Sequence, residues 1–358
     1  MAEAQVVVGK KILKINQSYT EVERESKAII YSSLSFIISF IVMYLILTYS
    51  SLKLKTVSEF GPVAALCVAI VAITIFLIGF RHSPLAKNEK IQQLSLLTRS
   101  ITTFAFGCAY SGIAFLMTIS TYVVSADYLH LSTIKPHLMA LLLGLALALT
   151  TYIVFIHATR ASINQLASIL TIFTISGAFA SMFTAQNSSW WQHHFSALGA
   201  GDSWSSYAFN ITMVISGLIA ASFAPYITRE YIVLKYHYKS ARFIQSLFIV
   251  IGICLIIVGL FPYDTYLVIH NIAANLMSIT FGVLMISLPW TMPRLPKLFI
   301  VFSYSIIIVI VLAYFVAYNR AVNLLELELI ACSAVFVWLV LFARFMNAVT
   351  HDNRKMVQ

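Results

Sequence analysis

Charged residues are scarce in this sequence. Only 10% of its 358 residues are Asp, Glu, Lys or Arg, against about 25% in water-soluble domains, and its mean hydropathy is +0.89. This composition excludes a water-soluble globular protein. Apolar runs of about 20 residues recur from Ile29 onward, which is the length of a membrane-spanning helix and too long for the strands of a β-barrel. The predicted fold class is all-α, a polytopic bundle of transmembrane helices.

Cysteine is also sparse. The four cysteines all lie inside apolar runs and none belongs to a C-x-x-C motif, so neither a disulfide framework nor a thiolate zinc site is expected. The sequence contains no phosphate-binding loop, no G-x-S-x-G and no nucleotide fingerprint, which disfavours an ATP-driven pump. We therefore predict no cofactor.

The apolar runs predict ten membrane spans. A polar N-terminal tail, residues 1–28, precedes a four-span region, residues 29–160, and a six-span region, residues 161–350. The predicted spans are Ile29–Thr48, Pro62–Phe80, Ile101–Val124, Pro136–His157, Leu166–Ala185, Tyr207–Tyr226, Phe243–Phe261, Thr265–Leu288, Leu298–Tyr318 and Leu327–Met346. We expect three prolines at or just before the start of a span: Pro62, Pro136 and Pro262. Pro289 is expected in the connection that follows the eighth span.

Basic residues are distributed unevenly between the two faces of this bundle. With the N-terminus inside, only Lys53, Lys55, Lys135 and Arg320 lie outside, and the other 19 of the 23 Lys and Arg residues lie inside. This positive-inside pattern predicts cytoplasmic N- and C-termini. It also accounts for the net charge of +10 without a nucleic-acid partner. We expect a multi-pass protein of a bacterial cytoplasmic membrane, in contact with membrane lipids.

The longest polar interval, Gln186–Tyr207, falls on the predicted outer face between two spans. It holds the densest group of side chains capable of hydrogen bonding or metal binding: His193, His194, Ser196, Gly199 and Asp202. Its tryptophans, Trp190, Trp191 and Trp204, are typical of anchors at a membrane interface. Ser203 and Ser205 are expected to cap the following helix.

A second polar group reaches the same face from a distant part of the chain. Asp264 ends a very short connection, and His270 and Asn271 follow within the next span. An ionisable residue inside a membrane indicates a functional site, although a histidine that hydrogen-bonds to a neighbouring helix explains His270 equally well. We expect the long interval to fold over this connection, which brings its histidines near Asp264 and His270.

Imidazole and carboxylate groups together suit zinc or proton exchange. The sequence has no complete metal motif, so a metal site is not predicted; if one exists, its ligands come from His193, His194, His270 and Asp264. Glu326 and Glu328 stand at the outer start of the tenth span, where acids complement the helix dipole.

Two motifs resemble a known bacterial membrane family, domain of unknown function 998. The first is W-W-x-H-H-F-S-A-L-G-x-G-x-S-x-x-S-Y-x-F-N, residues 190–210, and the second is G-L-F-P-Y-D-x-Y-L-x-I-H-N-I-A-A, residues 259–274. The resemblance to this family covers the last six spans. The chain resembles, more remotely, the DRAM-like eukaryotic membrane proteins, which act in autophagy and lipid remodelling. The resemblance to the bacterial family points to Ser196, Leu198, Gly199, Asn210, Pro262, Asp264 and His270.

From these observations we expect a non-enzymatic integral membrane protein that handles or senses lipid or envelope components at its outer leaflet. A proton-coupled secondary transporter gated by His270 and a membrane-embedded, metal-dependent lipid hydrolase are the alternatives. A small-molecule or lipid ligand fits each of them, and the oligomeric state stays open.

Overall fold

The computed structural model describes residues 19–49, 56–87, 96–127, 135–161, 163–185, 189–233, 237–318 and 324–357. Its α-helices are α1 Glu21–Tyr49, α2 Val57–Phe80, α3 Leu96–Asp127, α4 Pro136–Thr159, α5 Ile163–Thr184, α6 Trp204–Val233, α7 Tyr238–Leu260, α8 Leu267–Thr291, α9 Lys297–Tyr318 and α10 Leu324–Val357. Over these residues, ten helices are long and apolar enough to cross a membrane, which confirms the all-α fold and the ten predicted spans. Most of the tail, residues 1–18, and residues 186–188 of the long interval lie outside the described parts.

The helices alternate in direction, so the bundle has two ends. We call the end that carries residues 189–203 the loop face, and the end at which α1 begins and α10 finishes the terminal face. The assignment of the loop face to the outside remains a prediction, based on the basic residues.

The first two helices begin with capping boxes. Thr20 Oγ1 accepts the backbone N–H of Glu23, and Glu23 returns the bond by accepting the N–H of Thr20. Thr56 and Glu59 repeat the arrangement at the start of α2. Because these caps satisfy otherwise unpaired N–H groups, α1 starts at Glu21 and α2 at Val57, each earlier than the predicted spans.

Two proline positions correct the predictions. Pro62 was predicted at the start of a span and lies inside α2, and Pro289 was predicted in a connection and lies inside α8. The capping box moves the start of α2 outward past Pro62. Pro136 does occupy the first turn of α4, as predicted, where a missing N–H costs nothing.

On the terminal face, ion pairs attach the start of α1 to α4. Arg24, which is 6% exposed, contacts Glu21 at 2.5 Å, and Arg160 at the end of α4 contacts the same carboxylate at 2.6 Å. Beside them the hydroxyl of Tyr19 lies 3.0 Å from Nε2 of His82. Burial, and then the nearby lysines and arginine, lower the pKa of His82 below its ordinary value.

Glycines allow α6 and α7 to pack with their backbones almost in contact. A Cβ on Gly217 would lie 2.5 Å from the carbonyl oxygen of Gly252, and one on Gly259 would lie 2.5 Å from the carbonyl oxygen of Asn210. Close approach of this kind is how membrane helices gain packing energy without a hydrophobic driving force. It fixes the loop-face end of α7, and therefore the connection that follows it, against the start of α6.

Candidate functional site

The long loop, described from Ser189 to Ser203, has regular secondary structure and packs against the bundle. It contains two 3-10 helices, Trp190–Gln192 and Phe195–Gly199. Leu198 is 2% exposed and packs into an apolar cluster with Phe209 on α6 and Val258 on α7. This apolar anchor holds the polar residues of the loop close to the ends of α6, α7 and α8.

Gly199 follows Leu198 at a point where no side chain fits. A Cβ there would lie 2.5 Å from Oδ1 of Asn210 and 2.8 Å from Cδ1 of Phe209. Nδ2 of Asn210 donates to the carbonyl oxygen of Gly199 at 3.0 Å. The structure therefore gives a physical reason for three residues of the first motif, Leu198, Gly199 and Asn210.

The loop and the connection between α7 and α8 meet directly. We call this connection, Phe261–Tyr266, the short turn. The backbone N–H of Gly201 donates to Oδ2 of Asp264 at 2.9 Å, and Gly201 has a φ of +73°, in the left-handed region that favours glycine. The contact expected between the long interval and Asp264 is present, but it is made by a backbone amide and not by a histidine.

Below this contact, three rings lead into the bundle. The ring centroids of His194 and Tyr263 lie 4.0 Å apart, edge to face, and those of Tyr263 and His270 lie 5.9 Å apart. His270 is 2% exposed, and its Nδ1 lies 2.9 Å from the carbonyl oxygen of Phe261. Burial, followed by the charges of His193 and His270, lowers the pKa of His194 below its ordinary value.

Glu328 also belongs to this site, and sequence reasoning assigned it only to the helix dipole. Its carboxylate on α10 accepts the backbone N–H of Phe195, which opens the second 3-10 helix of the loop. The two partners are far apart in sequence, and Phe195 contributes only its backbone. No local pattern could have revealed this contact.

The two serines expected to cap α6 have different roles. Ser203 Oγ accepts the N–H of Ser206, so Ser203 is a cap as predicted. Ser205 is instead buried, and its hydroxyl lies 2.9 Å from the hydroxyl of Ser181 on α5. The prediction for Ser205 was wrong because the first turn of α6 faces another helix on that side.

A half-open cleft of about 260 Å³ lies between the long loop and the adjoining ends of α5 and α6. Trp190, His193, Asp202 and Ser203 line it, together with small and apolar residues. Trp190 therefore faces a cleft and the apolar cluster beneath it, while Trp191 and Trp204 are exposed, as interface anchors are. Ser196 is half-buried in the second 3-10 helix, and Asn271 is exposed on α8.

The predicted site residues fall into two neighbouring groups. His193 and Asp202 border the cleft, whereas His194, Asp264 and His270 lie at or beneath the short turn. Within the described part of the chain, no three His, Cys, Asp or Glu side chains form a group that could hold a metal ion.

A family model described as "Protein of unknown function (DUF998)" matches residues 166–344, half of the chain. The match begins at α5 and ends within α10, so it contains the long loop, the short turn and Glu328. No curated protein and no solved structure matches the chain.

Proposed function

The chain belongs to the DUF998 family, and from this premise and the geometry of the loop face we propose that it binds the headgroup of a membrane amphiphile, without chemistry, at the outer leaflet of a bacterial cytoplasmic membrane. The observation that carries the proposal is the cleft of about 260 Å³ beside the long loop, which adjoins exposed apolar surfaces of α5 and α6.

The size of the cleft supports a headgroup rather than a whole ligand. Pockets that enclose drug-sized molecules are about 300–1,000 Å³. A half-open cleft of about 260 Å³ can hold a polar group of a few atoms, while the remainder of the molecule stays outside.

The helix surfaces next to the cleft suit acyl chains. On α5, Phe179 and Phe183 share a face, are 53% and 85% exposed, and stack with ring centroids 6.1 Å apart. On α6, Trp204, Tyr207 and Ile211 are exposed at helical spacing. Both helices meet the cleft through their ends, at Ala185 and Ser203. A lipid could therefore place its headgroup in the cleft and its chains along these apolar faces.

Charge on this part of the loop face favours a headgroup that carries an ammonium. Across the described residues of the long loop, the short turn and the first turns of α10, there are four acidic residues and no lysine or arginine: Asp202, Asp264, Glu326 and Glu328. Asp264 and Glu328 accept backbone amides, whereas Asp202 borders the cleft. A carboxylate together with the ring of Trp190 attracts a cation by charge and by cation–π contact.

Native mass spectrometry tests the proposal. The protein is placed in nanodiscs that contain equal amounts of phosphatidylethanolamine and phosphatidylglycerol, and the lipid that it retains on release is identified. We expect enrichment of phosphatidylethanolamine, reduced by a factor of about 1.4 to 5 by Asp202→Asn, because an exposed ion pair contributes about 0.2–1 kcal/mol.

Glu326→Gln is the matched control, since it removes the same charge from the same face outside the cleft lining. Equal retention of the two lipids, or an equal effect of both substitutions, would contradict the proposal. Substrate-dependent proton flux in liposomes would favour the transporter instead, and chelator-sensitive release of lipid fragments would favour the hydrolase.

A further inference from the structure

A second groove lies at the terminal face, at the opposite end of the bundle from the cleft. It is open, has a volume of about 500 Å³ and runs along the beginning of α7. Its lining residues are Tyr238, Arg242, Gln245, Ser246 and Ile249. Their spacing places them on one side of the helix. The groove therefore leads from the end of a membrane-spanning helix into the span itself.

The guanidinium of Arg242 is held in position from one side. Its Nε donates to the hydroxyl of Tyr238 at 2.8 Å, and its Cζ lies 5.0 Å from the centroid of the same ring. Arg242 is exposed, and no carboxylate pairs with it among the described residues. The terminal nitrogens of the guanidinium are thus left for a ligand. A fork of N–H groups fixed in this way matches two oxygens of a phosphate.

Charge on this side of the groove favours an anion. α7 contains no Asp or Glu, and its second residue, Lys239, is exposed three residues before Arg242. Residues at this spacing are neighbours on a helix surface, so the two cations act on the same ligand. This is the reverse of the loop-face cleft, which the carboxylate of Asp202 borders.

Towards the middle of the membrane, the same side of α7 becomes apolar. Ile249 and Ile253 are exposed, three and seven residues after Ser246. The stretch from Arg242 to Ile253 covers about 16 Å at 1.5 Å per residue, close to half of a hydrocarbon core of about 30 Å. Gln245 and Ser246 lie between the cation and the apolar residues. The order of groups along α7 thus matches the order of phosphate, glycerol esters and acyl chain in one phospholipid.

We propose that this groove binds an anionic phospholipid of the leaflet at the terminal face. The lipid phosphate meets the guanidinium of Arg242, the glycerol esters lie beside Gln245 and Ser246, and an acyl chain follows Ile249 and Ile253. Basic pockets on membrane spans bind anionic headgroups in this manner. The inference concerns a different site, leaflet and lipid charge from those proposed for the cleft, and it does not depend on that function.

Photocrosslinking in nanodiscs locates the bound lipid. Phosphatidylglycerol with a diazirine in its acyl chain is added in trace amount to a phosphatidylcholine bilayer that holds the full-length protein. The labelled positions are then identified by mass spectrometry of its peptides. We expect adducts along α7 between Gln245 and Ile253. The same probe built on phosphatidylcholine should label these positions about fivefold less, because one basic residue near the surface contributes about 1 kcal/mol towards an anionic lipid.

Arg242→Gln removes the cation and should reduce the labelling of α7 by phosphatidylglycerol about fivefold. Arg344→Gln is the matched control, because Arg344 is an exposed arginine near the same face, on α10 and outside the groove lining. It should leave the labelling of α7 unchanged. Arg242→Lys keeps the charge without the fork, and should lose about half of the labelling or more.

Equal labelling by the two probes, or equal losses in Arg242→Gln and Arg344→Gln, would overturn the proposal. Full labelling in Arg242→Lys would also overturn it, since charge alone would then attract the lipid. Competition by inorganic phosphate would assign the guanidinium to a free anion instead.

The groove and the cleft are separated by their variants. Asp202→Asn should leave the labelling of α7 unchanged, so that failure at one site is not failure at the other. Because the groove adds phosphatidylglycerol to the lipids that the protein retains, the retention experiment on the cleft is also made with Arg242→Gln, which removes this contribution.

Discussion

At the scale of single residues, Gly199 and Asn210 decide how closely the long loop approaches α6. The glycine leaves room for the asparagine side chain, which in turn donates to the glycine carbonyl. Asn210 Oδ1 and Phe209 Cδ1 both lie too close to Gly199 for a Cβ to fit unless something moves. A single added methyl group at Gly199 should therefore disturb this contact.

We expect Gly199→Ala to destabilise the protein by about 1–3 kcal/mol, the usual cost of overpacking. Gly282→Ala is the control, because a Cβ at that position of α8 meets nothing within 4 Å. There the change should be neutral or stabilising by less than about 1 kcal/mol, since alanine is the better helix former. Thermal denaturation in detergent compares the two, and equal stabilities would show that the loop tolerates the added methyl.

The sequence revealed the residues of this site better than their partners. His270, Asp264 and the histidines of the loop stand out because polar groups are rare in an apolar chain. Their partners are largely backbone atoms, the amides of Gly201 and Phe195 and the carbonyl of Phe261, which any sequence supplies everywhere. Which of these groups meet depends on the tertiary packing of α6, α7 and α10.

At the scale of elements, the caps determine where the first two helices begin. The letters T-E-V-E at residues 20–23 and T-V-S-E at residues 56–59 are capping-box signals that local physics explains completely. Hydropathy detects only the apolar centre of a span, so it placed both starts too far inside the helix. A search for capping boxes would have corrected them.

Replacing Thr56 by valine tests the cap of α2. Valine has the shape of threonine but cannot accept the N–H of Glu59, so we expect a loss of about 0.5–2 kcal/mol. Thr74→Val makes the same chemical change at an exposed site in the middle of α2, where the hydroxyl only bonds back to the carbonyl of Ile70. A chemical-denaturation midpoint that falls for Thr74→Val as much as for Thr56→Val would argue against the cap.

At the scale of the whole molecule, the two faces differ in charge. Lys135 is the one basic residue of the loop face in the described part of the chain, whereas the terminal face carries Arg24, Lys27, Arg81, Arg160 and further lysines and arginines. This asymmetry predicts that the loop face lies outside. The number of helices confirms the span count, and the direction of insertion is a prediction that rests on this charge asymmetry.

Cysteine labelling in intact cells measures that direction. In a variant whose four native cysteines are alanines, a membrane-impermeant maleimide should modify Gln192→Cys, which is exposed on the long loop. It should spare Lys239→Cys, equally exposed at the start of α7 on the terminal face. The reverse labelling pattern would show that the protein inserts in the opposite direction, with the loop face and its cleft on the cytoplasmic side.

The contact between Phe195 and Glu328 also has a consequence for biosynthesis. The ribosome completes the long loop well before it reaches Asp264, and reaches Glu328 only with the last helix. Until then the amide of Phe195 lacks its carboxylate partner, so a nascent chain must carry this loop without its contact to the last helix. A chain that ends at residue 318 should therefore be cut by an external protease between α5 and α6, and the full-length chain should resist.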